Sequence, residues 1–267
     1  VKKISEPFSS LNQHIRSIAE RNFGAKISTP VYDELSEFVT NINIMSERLE
    51  TYDKAQKTFL QNVSHEFRTP LMSIQSYAEG IKYNVADSNE AAGIIIEESK
   101  RLTQLVENLL YLSRLDAMEE NYCLTKLDYN ELLRSCAERM NMIACNNNIK
   151  IDISVPEENI NIIADEEKLS RAINNILSNC IRYAKSSIEI KSEIIDENTV
   201  RVTISDDGPG FEPNELPNIF DRFFKGRKGN FGLGLAISKC IIEKHEGKIT
   251  AENSKTGAVF RIDLPMA

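Results

Sequence analysis

No stretch of this chain approaches the run of roughly 18–20 apolar residues needed to cross a bilayer, and no signal peptide opens it. Positive charge is also short: 32 Lys and Arg stand against 40 Asp and Glu, a net charge of −8 with a pI near 5.2. That balance argues against direct nucleic-acid binding, which needs a basic footprint. Cysteine is sparse, and Cys123, Cys136, Cys145, Cys180 and Cys240 stand singly, with no CxxC pair and no nearby histidine. Such spacing suits neither a zinc site nor a disulfide framework, and fits reduced cytosolic thiols. Histidine occurs only at positions 14, 65 and 245.

What is present points to more than one domain. The 267 residues exceed a usual single unit, and 41% apolar with 27% charged residues supply a core and a soluble surface. The basic start "VKK" suits the cytoplasmic edge of a membrane span upstream, with an ordinary solvated terminus as the alternative.

Three segments differ in pattern. Residues 1–52 carry two heptad stripes, Phe8, Leu11, Ile15 and Ile18, then Leu35, Phe38, Ile42, Met45, Leu49 and Tyr52. Gly24 and Pro30 break the helical period between them. Such narrow seams predict a coiled-coil-like parallel dimer, or else a hairpin packed on the rest of the chain. Pro7, Asp33-Glu34-Leu35 and Asn43-x-Met45 resemble a HAMP domain, the relay module that follows membrane spans in bacterial receptors. Residues 53–118 read as two long antiparallel helices. Asp87 and Glu90 open the second, whose seam is Ile95, Leu102, Leu105, Leu109 and Leu112; a dimeric four-helix bundle would cover it. Residues 119–267 interleave helices expected at 128–145, 165–184 and 233–245 with β-rich segments such as "TVRVTISD" and "AVFRIDL". The expected fold is therefore multidomain, all-α segments followed by an α/β sandwich with a largely antiparallel sheet.

Chemistry concentrates in four short stretches. "DDGPGF" at 206–211 follows a strand, and "GNFGLGL" at 229–235 leads into a helix whose free N–H groups would seat phosphate. Lys225, Arg227 and Lys228 stand just ahead of it. Neither run is a Walker loop or a dinucleotide fingerprint, and plain turns are the alternative. Asn175 and Asn179 share one face of a helix that Arg182 extends, either as ligands for a hard cation such as Mg²⁺ or as a solvated polar face. "SHEFRTPL" at 64–71 sets a histidine, a glutamate and a helix-disrupting proline within one helix. His14 reads as solvated, and His245 as a partly charged helix C-terminus.

In order, "SHEFRTPL", "NNILSN", "DDGPG", "FDRFF" and "GLGL" resemble the H, N, G1, F and G2 boxes of the sensor histidine kinases. The resemblance implies a HAMP relay at 1–52, a homodimeric phosphoacceptor hairpin at 53–118 and a GHKL-type (Bergerat) ATPase domain at 119–267. It implies ATP and Mg²⁺ as cofactors, a response regulator as partner, and a bacterial membrane protein whose cytoplasmic portion this is. Residue by residue, it implies His65 as nucleophile, Glu66 as general base and Thr69 as the residue orienting water in a phosphatase reaction. Asp206 would read adenine and Asn179 hold Mg²⁺ with Asn175 in support. Arg182 and Tyr183 would lie beside the nucleotide, Gly208, Gly210, Gly232, Leu233 and Gly234 would shape the loops, and Phe220 belongs to the F box with Lys225 close by. Asn230 replaces the first glycine of the last box, the lid "GRKGNF" is short, and Lys225 stands where relatives often carry Arg. The short lid predicts modest ATP affinity. The rival readings are a degenerate dimeric scaffold and a GHKL ATPase without phosphotransfer.

Overall fold

A computed structural model describes residues 2–23, 33–116, 121–226 and 231–267. The connector around Gly24 and Pro30, the 118/119 junction and the lid residues Arg227, Lys228 and Asn230 lie outside the described residues. The chain forms two compact units, 1–69 and 70–267.

In the first unit α1 (Lys2–Ala19) packs against the start of α2 (Asp33–Lys82). Leu11, Ile18, Val39 and Ile42 form the core, with Phe23 against it. The Ser46 hydroxyl donates to the Phe23 carbonyl at 3.2 Å, and Asp53 pairs with Lys57 at 2.7 Å and Arg21 at 3.4 Å. Only part of the expected seam faces inward. Phe38, Met45, Leu49 and Tyr52 remain 39–69% exposed. His14, expected in solvent, is instead buried, because positions 11, 14 and 18 share the inward face at i, i+3, i+7. The helix α2 also runs unbroken through the expected 52/53 boundary and through Pro70.

The second unit begins with the end of α2 and continues into α3 (Ser88–Asp116), whose first turn is capped by Asp87 Oδ1 accepting from the Asn89 and Glu90 N–H groups. Leu105, Leu112 and Leu115 are its buried residues, with Ala91 and Tyr111. Then follow β1 (Thr125–Asp128), α4 (Tyr129–Asn146), β2 (Lys150–Ser154), β3 (Asn161–Ala164), α5 (Glu166–Tyr183), β4 (Ser187–Asp196), β5 (Thr199–Asp206), α6 (Gly234–Lys244), β6 (Lys248–Asn253) and β7 (Ala258–Pro265). The five-stranded sheet has order β2-β4-β5-β7-β6, antiparallel except for the β2–β4 pair, and β1 pairs with β3 apart from it.

Period-two burial selects the core face. Val200, Val202 and Ile204 of β5 are buried, and the register lays Ile190, Ile204 and Phe260 in one row across three strands. The fully buried stripe of α5, Leu169, Ala172, Ile173, Ile176, Leu177 and Cys180, supplies the opposing layer. Asp165 caps α5 by accepting from Lys168 N–H, and Asp128 caps α4 by accepting from Asn130 N–H.

His245 also departs from expectation. It is 5% exposed, its Nδ1–H donates to the Ile241 carbonyl, and its Nε2 accepts the Asp165 N–H at 3.0 Å. Burial lowers its pKa, so the neutral ring is favoured. The helix dipole favours a cation at this end, but the ring is desolvated and one nitrogen must stay an acceptor.

Candidate active site

The helix α2 presents His65 and Thr69, four residues apart and both exposed, with Glu66 half-buried between them. This motif is local to one helix.

The second unit contains a cavity of about 290 Å³. Its wall along α5 carries Asn175, Asn179, Arg182 and Tyr183, the end of β5 brings Asp206, and the loop after it brings Gly210. Gly232, Leu233 and Gly234 close it at the start of α6. Of the other expected residues, Gly208 lies just outside, with its N–H donating to Asp206 Oδ1 at 2.9 Å. Phe220 and Lys225 do not line the cavity.

Two adjacent aspartates part company here. Asp206 is 4% exposed, and burial raises its pKa against the opposing hydrogen bonds from the Gly208 and Ala258 N–H groups. Asp207 also meets a desolvation cost, but the Ser186 hydroxyl at 2.6 Å and nearby backbone N–H groups outweigh it and hold the carboxyl far below the usual range. Asp207 therefore ties the β5 end to the turn before β4, while Asp206 faces the cavity. The glycines around it are steric necessities: a Cβ on Gly208 would come within 2.5 Å of the Tyr183 carbonyl oxygen.

At the opposite end no side chain among the described residues caps α6. Its first N–H groups and the helix dipole therefore point at whatever sits there, a setting for phosphate. Gly232 holds φ +67°, and any Cβ there would strike the Phe224 carbonyl. Phe223, itself at φ +64°, donates its N–H to the Gly232 carbonyl at 2.8 Å, so the turn is held from both sides. Asn175 Nδ2 donates to the Gly234 carbonyl at 3.2 Å and ties α5 to this loop.

Sequence reasoning missed several wall residues. Phe211 and Phe231 supply apolar surface beside Phe224 of the F box, and Gln104 and Asn108 arrive from α3. The aromatics flank the glycine runs and could have been suspected. The α3 pair is brought in by tertiary packing and has no local signal.

A buried carboxylate at one end, an uncapped helix at the other and amides between them fit an adenine nucleotide. Among the described residues no three His, Cys, Asp or Glu side chains form a metal cluster. A Mg²⁺ ion would fit here as one bound by an amide oxygen such as that of Asn179 and by phosphate oxygens.

Comparison with known proteins agrees with this geometry. Residues 164–267 match the family described as "Histidine kinase-, DNA gyrase B-, and HSP90-like ATPase", and residues 55–117 match the "His Kinase A (phospho-acceptor) domain". The molecule is thus a phosphoacceptor hairpin followed by an ATPase domain of that kind. The sensor histidine kinase CssS of Bacillus subtilis is 33% identical over 99% of this chain and 58% of its own length. The histidine-protein kinase BaeS of Escherichia coli is 30% identical over 97% and 57%. Among solved structures, histidine kinase ThkA in complex with response regulator TrrA is 25% identical with a TM-score of 0.68, over 82% of this chain and 66% of that one. Full-length ShkA in complex with AMPPNP is 27% identical with a TM-score of 0.60, over 79% and 46%. The chain thus carries both domains in this order and is similar along nearly its whole length to bacterial sensor histidine kinases, and it spans somewhat over half the length of CssS and BaeS.

Proposed function

We propose that this chain is the kinase portion of a two-component sensor that phosphorylates itself on His65 and passes the phosphoryl group to an aspartate of a response regulator. The observation that carries this is the cavity joining buried Asp206 to the uncapped start of α6, in one chain with the His65 motif. Asp206 accepts a hydrogen bond from the adenine amino group, and the glycine turn at 232–234 cradles the phosphates. Asn179, supported by Asn175, supplies the amide oxygen for Mg²⁺, which offsets phosphate charge during transfer. Arg182 and Tyr183, in the cavity wall, lie beside the nucleotide, and Lys225, outside that wall, adds positive charge near it.

In the transfer, an imidazole nitrogen of His65 forms a bond to the γ-phosphorus as the bond to the bridging oxygen breaks. ADP departs with the electron pair. Glu66 takes the proton from the other ring nitrogen, which becomes more acidic as the first is phosphorylated. Thr69, on the same helix face, orients the water that dephosphorylates the regulator in the opposing reaction.

The remaining parts of the reading concern context. Exposed Ile15, Phe38, Met45, Leu49 and Tyr52 on the first unit, and Leu60, Leu71 and Met72 along α2, support a homodimer through helical bundles. The heptads with Asp33-Glu34-Leu35 support a HAMP relay at 1–52, and hence a membrane anchor in the whole protein with this portion on the cytoplasmic side. Among the described residues no helix is long and apolar enough to cross a membrane.

The test is incubation with γ-³²P-labelled ATP and Mg²⁺. Label that is acid-labile, alkali-stable and absent from His65→Gln is the expected result. Failure to label, or label persisting in His65→Gln, overturns the reading, and steady ATP turnover in that variant would favour a GHKL ATPase.

A further inference from the structure

The α3 helix is tied to the ATPase domain by polar contacts at three levels. In its last third, Arg171 of α5 donates from Nη2 to Asn108 Oδ1 at 3.1 Å, and its guanidinium lies 3.7 Å over the Tyr111 ring. Asn108 and Tyr111 are three residues apart on one helix face, so a single arginine grips both. Two turns earlier Arg101 lies 5.2 Å over the Phe231 ring, and at the far end Lys244 Nζ donates to the Leu115 carbonyl at 2.9 Å. Between these ties, Gln104 and Asn108 form part of the cavity wall.

Their place along the cavity says which part of a nucleotide they meet. Gly208, beside Asp206, sits against the Tyr183 carbonyl at the C-terminal end of α5. Arg171 lies twelve residues back, about 18 Å at 1.5 Å per residue. Asn175, one turn from Arg171, is tied to Gly234 at the start of α6. The α3 residues therefore join the cavity at its phosphate end, remote from the adenine end.

The Asn108 amide also has a set direction. Its oxygen is engaged by Arg171, which leaves its NH₂ edge as the group available to a ligand. An amide donor beside an uncapped helix N-terminus suits an anionic oxygen. We propose that Asn108, with Gln104 one turn before it, binds the terminal phosphate of the nucleotide, and that Arg171 is the positioning residue that orients the Asn108 amide. This rests on the adenine-nucleotide reading of the cavity. It makes seating of α3 and binding of a nucleoside triphosphate mutually favourable, each strengthening the other by the same factor.

The experiment is calorimetric titration of the full chain with Mg²⁺-AMPPNP and with Mg²⁺-ADP. Asn108→Asp keeps an acceptor for Arg171 but turns the donor edge into a carboxylate that repels phosphate. AMPPNP affinity falls by about tenfold or more, the scale of a hydrogen bond to a charged group, while ADP affinity shifts less than about twofold on the same scale. Arg171→Gln weakens AMPPNP in the same selective way by a smaller factor, and Arg171→Lys, which can still donate to the Asn108 oxygen, restores part of it. If both nucleotides weaken equally, or neither does, the proposal is wrong and the nucleotide reading stands. If the unmodified chain binds neither nucleotide, the nucleotide reading falls and takes the proposal with it.

Discussion

His65 stands on the exposed surface of a 50-residue helix, whereas Asp206 is 4% exposed beneath backbone donors from the loop after β5 and from β7. The helix motif needs only a helical period to bring His65, Glu66 and Thr69 together. The cavity needs α3, α5, β5, α6 and the turns between them, and its chemistry depends on burial as much as on residue type. A substitution on the helix should therefore separate chemistry from folding, and one in the cavity should not do so cleanly.

The largest effect is expected at Asp206. In Asp206→Asn the side-chain oxygen still accepts from the Gly208 and Ala258 N–H groups, so the loop keeps its form. The amide NH₂, however, meets the adenine amino group donor to donor. Adenine nucleotide affinity should drop at least about a hundredfold, from a lost charged hydrogen bond and a new clash of donors. Stability should move the other way. Burial raises the folded-state pKa of Asp206, so the ionised form carries a folding cost at neutral pH that is relieved as pH falls through that pKa. Asp206→Asn removes the cost, and its melting temperature at pH 7 should equal or exceed that of the unmodified chain. Nucleotide affinity left intact in this variant would remove Asp206 from the proposed adenine site.

Much of the α/β half was legible because its signals are local. Asp128 announced α4, the alternation of "TVRVTISD" defined β5, and Gly247 lies just past the end of α6. The strands β1 and β3, four residues each, are too short to show a period. The site divided in the same way. Asn175, Asn179, Asp206 and the glycine turn were visible as motifs, but Asn108 meets Arg171 across 63 residues and nothing in either neighbourhood signals the pairing. The two misread histidines differ in cause. His14 shares the inward i, i+3, i+7 face with Leu11 and Ile18, a local period, whereas His245 was judged by the dipole at its helix C-terminus and is buried against the turn at Asp165.

An intermediate effect is expected at His245, and it probes the packed half alone. Burial lowers its folded-state pKa below the unfolded value of about 6.5. The unfolded chain therefore takes up a proton first as pH falls, and the stability contributed by the neutral ring, complete above that pH, is lost as pH drops toward the folded pKa. Protonation also converts Nε2 from acceptor to donor, opposing the Asp165 N–H. Denaturant melts between pH 7 and 5.5 should show the unmodified chain losing up to about 1.4 kcal/mol per pH unit more than His245→Gln. Parallel pH profiles for the two proteins would show that the ring is not held neutral by the fold.

The smallest effect on the molecule is expected at Thr69, and it completes the comparison from the helix side. The residue is exposed within α2, and alanine has the higher helix propensity, so Thr69→Ala should leave stability unchanged or raise it by about 0.5 kcal/mol. Nucleotide affinity should be unaltered, because Thr69 contributes nothing to the cavity wall. His65 labelling should continue, since the nucleophile and Glu66 remain. Only the proposed dephosphorylation of the regulator should fail, because a hydroxyl that orients water has been replaced by a methyl group. The measurement is the decay of a phosphorylated regulator mixed with the unlabelled chain plus ADP. Decay as fast with Thr69→Ala as with the unmodified chain would exclude Thr69 from that reaction. Slow decay together with lost labelling would instead show a disturbed helix, contrary to the separation of chemistry from folding that the exposed motif implies.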